Sequence, residues 1–341
     1  MQTVEGILAV TRELADEVLF PDAMRVDRLD VLPAAYLDAF ATAGLYGAPV
    51  PAEAGGLGLD LPEVGRVVEE LAGGCLTAAF VLVQHFRLVM TLADEAAPPA
   101  LRDRWLASAC RGRTRGGIAL TGLIPGPPQL CAEPAGGGWR LDGTAPWVTG
   151  WGLIDLVQVV ARGQDDTVVT LIMDAAAQPG LTVTRQRLAA VDASVTVRLG
   201  FDGVMIPRER FVGQEPFDPA VSVQPAGLRL NGSLALGLAG RCGRLLGPGP
   251  LDGEVTACRE RLDAALGTGP GPMADARAAA AELALRATAA LAVRGGASAV
   301  TVDQHAQRLA REAVFLLVFG SRPGIKSALL QRLGAVAGST P

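Results

Sequence analysis

The middle third of the chain has a strand-like residue pattern and both ends have a helical one, and this difference limits the folds that the sequence can adopt. Residues 113–220 contain a short alternating run flanked by glycine at 138–143 and β-branched runs at 156–161 and 167–173. Such runs predict strands, and no long helical pattern lies between them. A barrel or a sandwich is therefore expected here, rather than strands alternating with helices.

Both flanking segments show helical periodicity. In residues 1–112, apolar side chains recur at helical spacing, and prolines and glycines near 49–56 interrupt the pattern. Residues 221–341 contain further helical stretches, at 230–246, 251–266, 273–293, 304–319 and 324–333. The predicted fold class is α+β with several domains: a helical domain (1–112), a β domain (113–220) and a C-terminal helical bundle (221–341).

Composition argues against several classes of function. The 341 residues are 50% hydrophobic and 19% charged, which is enough for a large core, and the net charge of −5 disfavours a nucleic-acid or membrane surface. The five cysteines are scattered and there are only two histidines, so no metal site is expected. The first 14 residues do not resemble a secretory signal, and a cytoplasmic protein is expected.

Common catalytic and nucleotide-binding motifs are missing from the sequence. There is no P-loop, no HExxH and no GxSxG. The glycine pairs at 136–138 and 295–296 lack the strand–GxGxxG–helix context of a dinucleotide-binding unit. A hydrolytic triad and a Rossmann-type site are therefore both disfavoured.

Several motifs, in order along nearly the whole chain, are similar to those of one family of flavoproteins. The clearest are residues 138–149 (GWRLDGTAPWVT) and 199–210 (LGFDGVMIPRER). With them, the chain resembles the acyl-CoA dehydrogenase family. The resemblance implies an N-terminal helical domain, a middle β-barrel, a C-terminal four-helix bundle and bound FAD. The other matching segments are 44–58, 69–72, 84–85, 117–121, 293–296 and 307–313.

The resemblance also implies which residues contact the flavin. Thr149 occupies the family position whose hydroxyl donates a hydrogen bond to flavin N5, and Trp147 occupies that of an indole stacked on the ring. Such a donor favours the reduced flavin, and a stacked indole excludes water. Thr121 falls where a threonine contacts the pyrimidine side, and Gly295 and Gly296 match a turn near the adenine end.

Two segments depart from the family pattern where phosphate is bound. The loop 121–128 reads TGLIPGPP; it lacks the family's glutamate and serine, and its three prolines have no N–H donor. The connector 264–272 lacks the arginine that in the family reaches a neighbouring subunit's FAD. Another cation is then needed for the diphosphate, and the candidates are Arg294, Arg311 and, as the preferred one, Arg322.

The group expected to accept the α-proton of a thioester is also missing. The family pattern puts Gly320 where many members have a glutamate, and segment 226–231, where another branch has its glutamate, contains no acid. The N–H of Gly320 can polarise a thioester carbonyl but cannot take a proton. His85, on a helix expected near the substrate, is a candidate for proton transfer, with a core role as the alternative.

Three hypotheses about function remain open. The first is oxidation of an acyl-CoA or related thioester, with reoxidation by an electron-transfer flavoprotein. The missing base and His85 suggest a second, a flavin-dependent monooxygenase supplied by a flavin reductase. The altered loop, the altered connector and Gly320 suggest a third, a degenerate subunit that completes another chain's site. A homo- or hetero-oligomer is expected in each case, because the family bundle packs against its copies.

Overall fold

The computed structural model describes residues 3–218 and 224–335, and its N-terminal part is helical. The first two helices are joined by a π-helical segment, Leu14–Leu19. The fourth helix begins with a capping box, in which Asp60 and Glu63 each accept a hydrogen bond from the other's backbone N–H at 2.8 Å. The helices are α1 (Val4–Glu13), α2 (Phe20–Val26), α3 (Ala34–Thr42), α4 (Leu61–Gly74), α5 (Leu76–Ala93) and α6 (Pro99–Cys110).

The middle of the chain forms one mixed sheet. Its strands are β1 (Gly116–Ala119), β2 (Leu130–Ala135), β3 (Gly138–Val148), β4 (Leu156–Arg162), β5 (Thr167–Asp174), β6 (Leu181–Arg185), β7 (Val197–Pro207) and β8 (Phe211–Pro216). They are ordered β6-β7-β3-β2-β4-β5-β8, with β1 parallel to β4. Register shifts in the β3–β7 pair bend the sheet. Since β6 and β8 are end strands, hydrogen bonding between the described strands does not close the sheet into a ring.

Residues 224–335 return to helix. The long helix 270–295 is rich in alanine and packs on the helices before and after it. Four of the five helices have proline in their first turn, where the missing N–H costs no hydrogen bond. They are α7 (Pro225–Leu246), α8 (Pro250–Ala264), α9 (Pro270–Gly295), α10 (His305–Val318) and α11 (Pro323–Arg332).

Buried apolar side chains form two main cores. One is formed mainly by side chains of the strands, such as Leu141, Val159 and Leu199. The other contains buried residues from the N-terminal helices, such as Leu71, together with those of the C-terminal helices, such as Leu234. The two helical segments, far apart in sequence, therefore share a single hydrophobic core.

Glycine allows α7 to lie directly against α4. A Cβ on Gly237 of α7 would overlap the backbone carbonyl of Glu69 on α4. The buried Arg229 of α7 crosses the α4 surface at Gly65, and its guanidinium pairs with Glu69 and Asp263. The close approach and the ion pairs fix how the first and last parts of the chain meet.

Helix α5 passes through the middle of the molecule. By length and apolar composition it is the one helix among the described residues that could cross a membrane, but 78% of it is buried inside the protein. Burial of this extent is what a core helix of a globular protein shows. Its residues contact the sheet on one side and the helical core on the other.

The predicted order of a helical segment, a β segment and a helical bundle is confirmed. The predicted boundary between 112 and 113 falls in the loop between α6 and β1. The predicted boundary between 220 and 221 lies outside the described residues. The predicted C-terminal helices coincide with α7 to α11, with ends that differ by a few residues.

Candidate active site

The end of β3 presents two of the predicted flavin-contact residues. Side chains alternate along a strand, so Trp147 and the buried Val148 point to opposite sides. Trp147 is 63% exposed, which is unusual for an indole of this size. Thr149, just beyond the strand, is 4% exposed. The structure thus offers an open indole face beside a buried hydroxyl group.

The Thr149 hydroxyl belongs to a chain of three hydroxyl groups. Its Oγ1 lies 3.0 Å from that of Thr196, which lies 3.1 Å from Oγ of Ser194. Either oxygen of each pair can be the donor. When the proton of Thr196 is directed away from Thr149, the Thr149 hydroxyl donates to Thr196; in the opposite arrangement, its own proton is free to donate to a ligand.

A strained turn holds Ser194 and Thr196 in place. Val191 and Val195 have φ of +54° and +49°, a left-handed conformation that is costly for β-branched residues. The N–H groups of Gly150 and Trp151 donate to the carbonyls of Ser194 and Val195, at 2.9 and 3.1 Å. These bonds stabilise the turn against the end of β3. Backbone strain of this kind is concentrated at functional sites.

Thr121 lies in a short buried turn, Thr121–Leu123, that one arginine fixes. The guanidinium of Arg162 on β4 donates to the carbonyl of Gly122 at 3.2 and 3.3 Å and to that of Ile124 at 3.3 Å. A Cβ on Gly122 would clash with the backbone of Ala161, so the turn packs directly on β4. Arg162 therefore determines the position of Thr121.

Gly320 occupies the exposed turn between α10 and α11. Its φ is +60°, and a Cβ built on it would lie 2.9 Å from Nδ2 of Asn231 on α7. Its N–H makes no backbone hydrogen bond within residues 3–218 and 224–335. The adjacent Phe319 packs edge-on against Phe80 of α5, with ring centroids 4.8 Å apart.

Helix α5 links the end of β3 to the Gly320 turn. Phe80 packs against Phe315 and Phe319 of the α10 segment. The next residue, Val81, lies within 3.8 Å of the Cβ position of Gly150, the residue after Thr149. The predicted flavin side and the predicted acyl side therefore border consecutive residues of one helix.

The sequence comparisons agree with this architecture. Residues 2–113 match the model of the acyl-CoA dehydrogenase N-terminal domain. The human mitochondrial short-chain specific acyl-CoA dehydrogenase is 26% identical over 248 residues, 70% of this chain and 60% of that protein. Benzylmalonyl-CoA dehydrogenase from Aromatoleum aromaticum is 27% identical over 233 residues, 66% of this chain and 62% of that protein. The alignments thus span about three fifths of these relatives.

A comparison with solved structures also covers the part of the chain that the sequence alignments leave out. Butyryl-CoA dehydrogenase from Megasphaera elsdenii superposes with a TM-score of 0.82 at 19% identity, over 97% of each chain. The N-terminal third of this chain is similar to the acyl-CoA dehydrogenase N-terminal domain, and the described chain has the acyl-CoA dehydrogenase fold. The fold has the expected order of helical, β and helical segments.

The residues predicted to contact the flavin ring fit that role, whereas the loop predicted to contact the FAD phosphates fits its role poorly. Trp147 offers an uncovered aromatic face, and Thr149 and Thr121 are buried hydroxyl residues. By contrast, residues 125–129 are exposed. The three prolines of this loop supply no N–H, and Gly126, at φ +103°, has nothing within 4 Å of its Cβ position. The loop forms no phosphate cradle like that expected of the family.

The other predicted cofactor residues lie in the helical bundle. Gly295 and Gly296 are exposed at the end of α9, and Gly296 has a φ of +62°. The neighbouring Arg294 donates to the carbonyl of Leu246 and is thus held against the end of α7. Arg322 is half-buried at the start of α11, where burial lowers the pKa of its guanidinium. Their roles toward FAD stay predictions.

His85, the predicted proton-transfer residue, is 1% exposed. Its Nδ1 accepts a hydrogen bond from the N–H of Gly116 at 2.9 Å, and its ring packs edge-on against Tyr46 at 4.9 Å. Burial lowers the pKa of the imidazole to about 3, an effect that the carbonyl of Ala109 only partly opposes. These surroundings are those of a neutral core side chain, and the catalytic role of His85 stays a prediction.

Sequence reasoning missed Ser194, Thr196 and Arg162. The β-branched pattern of residues 195–199 predicts a strand, whereas Val195 is left-handed and the strand begins only at Val197, after a 3₁₀ turn over residues 192–194. Three small hydroxyl or acidic residues within Asp192–Thr196 are a signal for a turn. Arg162 ends an otherwise apolar strand, and a charged residue at such a position indicates a buried side chain that hydrogen-bonds to a neighbouring segment.

Proposed function

We propose that this chain binds FAD and oxidises an acyl thioester to its α,β-unsaturated form. The observation that carries the proposal is that the residues next to Thr149 and Gly320, namely Gly150 and Phe319, contact the consecutive residues Val81 and Phe80 of α5. The curated relatives named above are acyl-CoA dehydrogenases by name, which supports the same substrate class. A bound flavin would supply the hydride acceptor that these side chains lack.

The residues at the end of β3 bind and orient the ring. The exposed face of Trp147 covers one side of an aromatic ligand and excludes water from it. Thr149 donates a hydrogen bond, and the hydroxyls of Thr196 and Ser194 hold its side chain in one orientation. Thr121, held in place through Arg162, provides a second polar contact.

The Gly320 turn polarises the thioester. Its N–H has no backbone partner in the described residues and lies on an exposed turn, so it can donate to a carbonyl oxygen. A hydrogen bond at that oxygen stabilises negative charge that develops when the α-proton leaves. Neither Gly320 nor the neighbouring amide of Asn231 can accept that proton. The proton acceptor therefore lies elsewhere, in this chain or in a partner.

We expect an electron-transfer flavoprotein as the partner that reoxidises the flavin, and a cytoplasmic location. The missing base and His85 suggested the monooxygenase alternative, and the neutral, buried state of His85 adds no support to it. The alternative of a subunit that completes another chain's site is favoured by the poor phosphate loop at residues 125–129.

The test is an absorption titration of the purified full chain. We expect it to bind FAD and the flavin band to bleach on anaerobic addition of acyl-CoA. Thr149→Val should slow this bleaching about tenfold or more because it removes one hydrogen bond that the transition state needs; Thr149→Ser is the matched control.

Three results would contradict the proposal. Absence of FAD binding by the chain alone and in an oligomer of its own copies would contradict it. Binding only after addition of a second, different chain would favour the partner-subunit alternative. Oxygen-dependent product formation without anaerobic bleaching would favour the monooxygenase.

A further inference from the structure

One buried arginine differs from the others. Five arginines are classed as buried in the described parts of the chain, and four of them form ion pairs with carboxylates. Arg277, on α9, is the exception: no carboxylate within residues 3–218 or 224–335 pairs with it, although it is only 1% exposed. The paired arginines are Arg162 with Asp166, Arg229 with Glu69 and Asp263, Arg241 with Asp16, and Arg308 with Glu312.

The hydrogen bonds of Arg277 use only part of its guanidinium. Its Nη2 donates to the carbonyls of Leu316 and Phe319, at 2.7 and 3.5 Å. Its Nη1 is buried and has no hydrogen-bond partner in the described residues. Burial lowers the pKa of Arg277 to about 10, so the side chain still carries its charge at neutral pH.

The carbonyl end of α10 explains how this charge is tolerated without a carboxylate. The last carbonyls of a helix carry partial negative charge, and Leu316 lies in the final turn of α10. Partial charges do not fully neutralise a buried cation, and an unpaired buried donor is costly. Arg277 is therefore positioned and charged, but its hydrogen-bonding capacity is incompletely used.

Arg277 lies at the Gly320 turn. The carbonyl of Phe319, to which it donates, immediately precedes Gly320. A second cation, Arg322, follows two residues later; it is half-buried and forms no ion pair in the part of the chain that the structure describes. The acid closest in sequence on α10, Glu312, pairs instead with Arg308. The turn thus has two cations and, at position 320, no side chain.

We propose that Arg277 recognises a carboxylate carried by the acyl group of the substrate, so that this chain acts on acyl thioesters with a second, anionic end. The inference rests on the proposed function, because it requires the acyl group to lie at the Gly320 turn. The free Nη1 donates to the carboxylate, and Arg322 adds positive potential. A glutamate at position 320 would have repelled such a group, whereas glycine carries no charge.

The experiment compares acyl-CoAs matched in chain length that differ only in a terminal carboxylate: butyryl- and succinyl-CoA, pentanoyl- and glutaryl-CoA, hexanoyl- and adipoyl-CoA. Their dissociation constants for the full chain loaded with FAD are measured anaerobically, together with flavin bleaching. We expect the carboxylate member of at least one pair to bind about tenfold more tightly, as a charge-assisted hydrogen bond provides. Tighter binding of the neutral member in every pair would overturn the proposal.

Variants assign the preference to Arg277. We expect Arg277→Gln to abolish the preference while leaving binding of the neutral acyl-CoA within about threefold, and Arg277→Lys, which keeps the charge, to retain part of it. Arg286→Gln is the control, because Arg286 lies on the same helix but is exposed and pairs with Glu254 and Glu282. Equal weakening of both members by Arg277→Gln would show a purely structural role and overturn the proposal.

The outcomes separate this inference from the proposed function. Bleaching by neutral acyl-CoAs alone would support the dehydrogenase and contradict the carboxylate preference. Bleaching by no acyl-CoA of either kind, with no binding, would contradict both. The preference in the wild-type protein tests the inference even where Arg277→Gln does not fold.

Discussion

At the scale of single residues, the structure explains why position 320 is a glycine. Its φ of +60° disfavours any residue with a Cβ, and the side chain of Asn231 occupies the direction in which a side chain would extend. A glutamate there would need a changed backbone as well as a moved amide. Glycine therefore fits the left-handed backbone of this turn, where a glutamate would not.

His85 gives a prediction about pH and stability. The pKa of its imidazole is about 3 in the folded protein, against an ordinary value of 6.5, because the folded state buries the neutral ring. The unfolded state therefore binds the proton more tightly, and stability is lost as pH falls from about 6.5 toward 3. At pH 5 the loss from this residue is about 2 kcal/mol relative to pH 8.

Urea denaturation of the wild-type protein and His85→Gln, at pH 8 and pH 5, measures this loss. We expect the variant to show a smaller decrease in the free energy of unfolding by about 2 kcal/mol. The comparison of the two proteins is needed because His305, whose pKa burial lowers to about 4, acts in the same direction. Equal pH dependence would contradict the prediction, and complete loss of flavin reduction in a stable His85→Gln would favour a catalytic His85.

At the scale of elements, the contact between α4 and α7 depends on one glycine. Gly237→Ala places a methyl group against the Glu69 carbonyl, which is backbone and cannot turn aside. We expect it to destabilise the protein by about 1–3 kcal/mol, as overpacking does. Gly240→Ala, in the same helix with nothing within 4 Å of its Cβ position, should instead stabilise it by about 0.5–1 kcal/mol.

Thermal or urea unfolding of the two alanine variants checks the signs. Opposite signs support a close backbone contact at Gly237. Stabilisation by both substitutions would show that α4 and α7 lie farther apart than the structure has them.

Elements of regular periodicity could be predicted from the sequence, and contacts made by irregular backbone could not. The β-branched runs at 156–161 and 167–173 became β4 and β5 because pattern and burial agree there. The turn around Val191 and Val195 has β-branched residues in a left-handed conformation, against their local preference, so propensity pointed to a strand. Tertiary contacts with Gly150 and Trp151 decide its conformation.

At the scale of the whole molecule, the helical segments at the two ends of the chain share one hydrophobic core. The segment that matches an N-terminal domain, residues 2–113, shares its core with α7, α9 and α10. Without α7, α4 would expose Gly65, Ala72 and Gly73, which are buried where α4 meets Arg229 and Gly237 of α7. We therefore expect a fragment of residues 1–112 not to fold alone.

Circular dichroism and amide NMR spectra of the 1–112 fragment test this expectation, with the full chain as control. Poorly dispersed amide signals and a gradual thermal transition are expected, in contrast to a single sharp transition of the full chain. A dispersed spectrum with a cooperative transition would show that the helical segments are independent domains.

The site could be predicted only in part, because one part of it depends on contacts over long sequence distances. Motif order located Trp147 and Thr149 near the end of β3, and the structure shows one exposed and the other buried. That Arg277 has no carboxylate partner among the described residues could not be seen in the sequence, since an arginine in an alanine-rich helix has the same pattern whether its partner is solvent, a carboxylate or a carbonyl.

Helix α5 determines the spacing between the two halves of the site. Phe80 contacts the turn that precedes Gly320, and Val81 contacts the residue after Thr149. Successive helical residues are separated by a fixed rise of about 1.5 Å and a rotation of about 100°. A single-residue insertion before Phe80 would therefore misdirect both contacts at once, and a change of size at either position shifts the other. Under the proposed function, the flavin site and the acyl site therefore border one helix, and a displacement of α5 alters both.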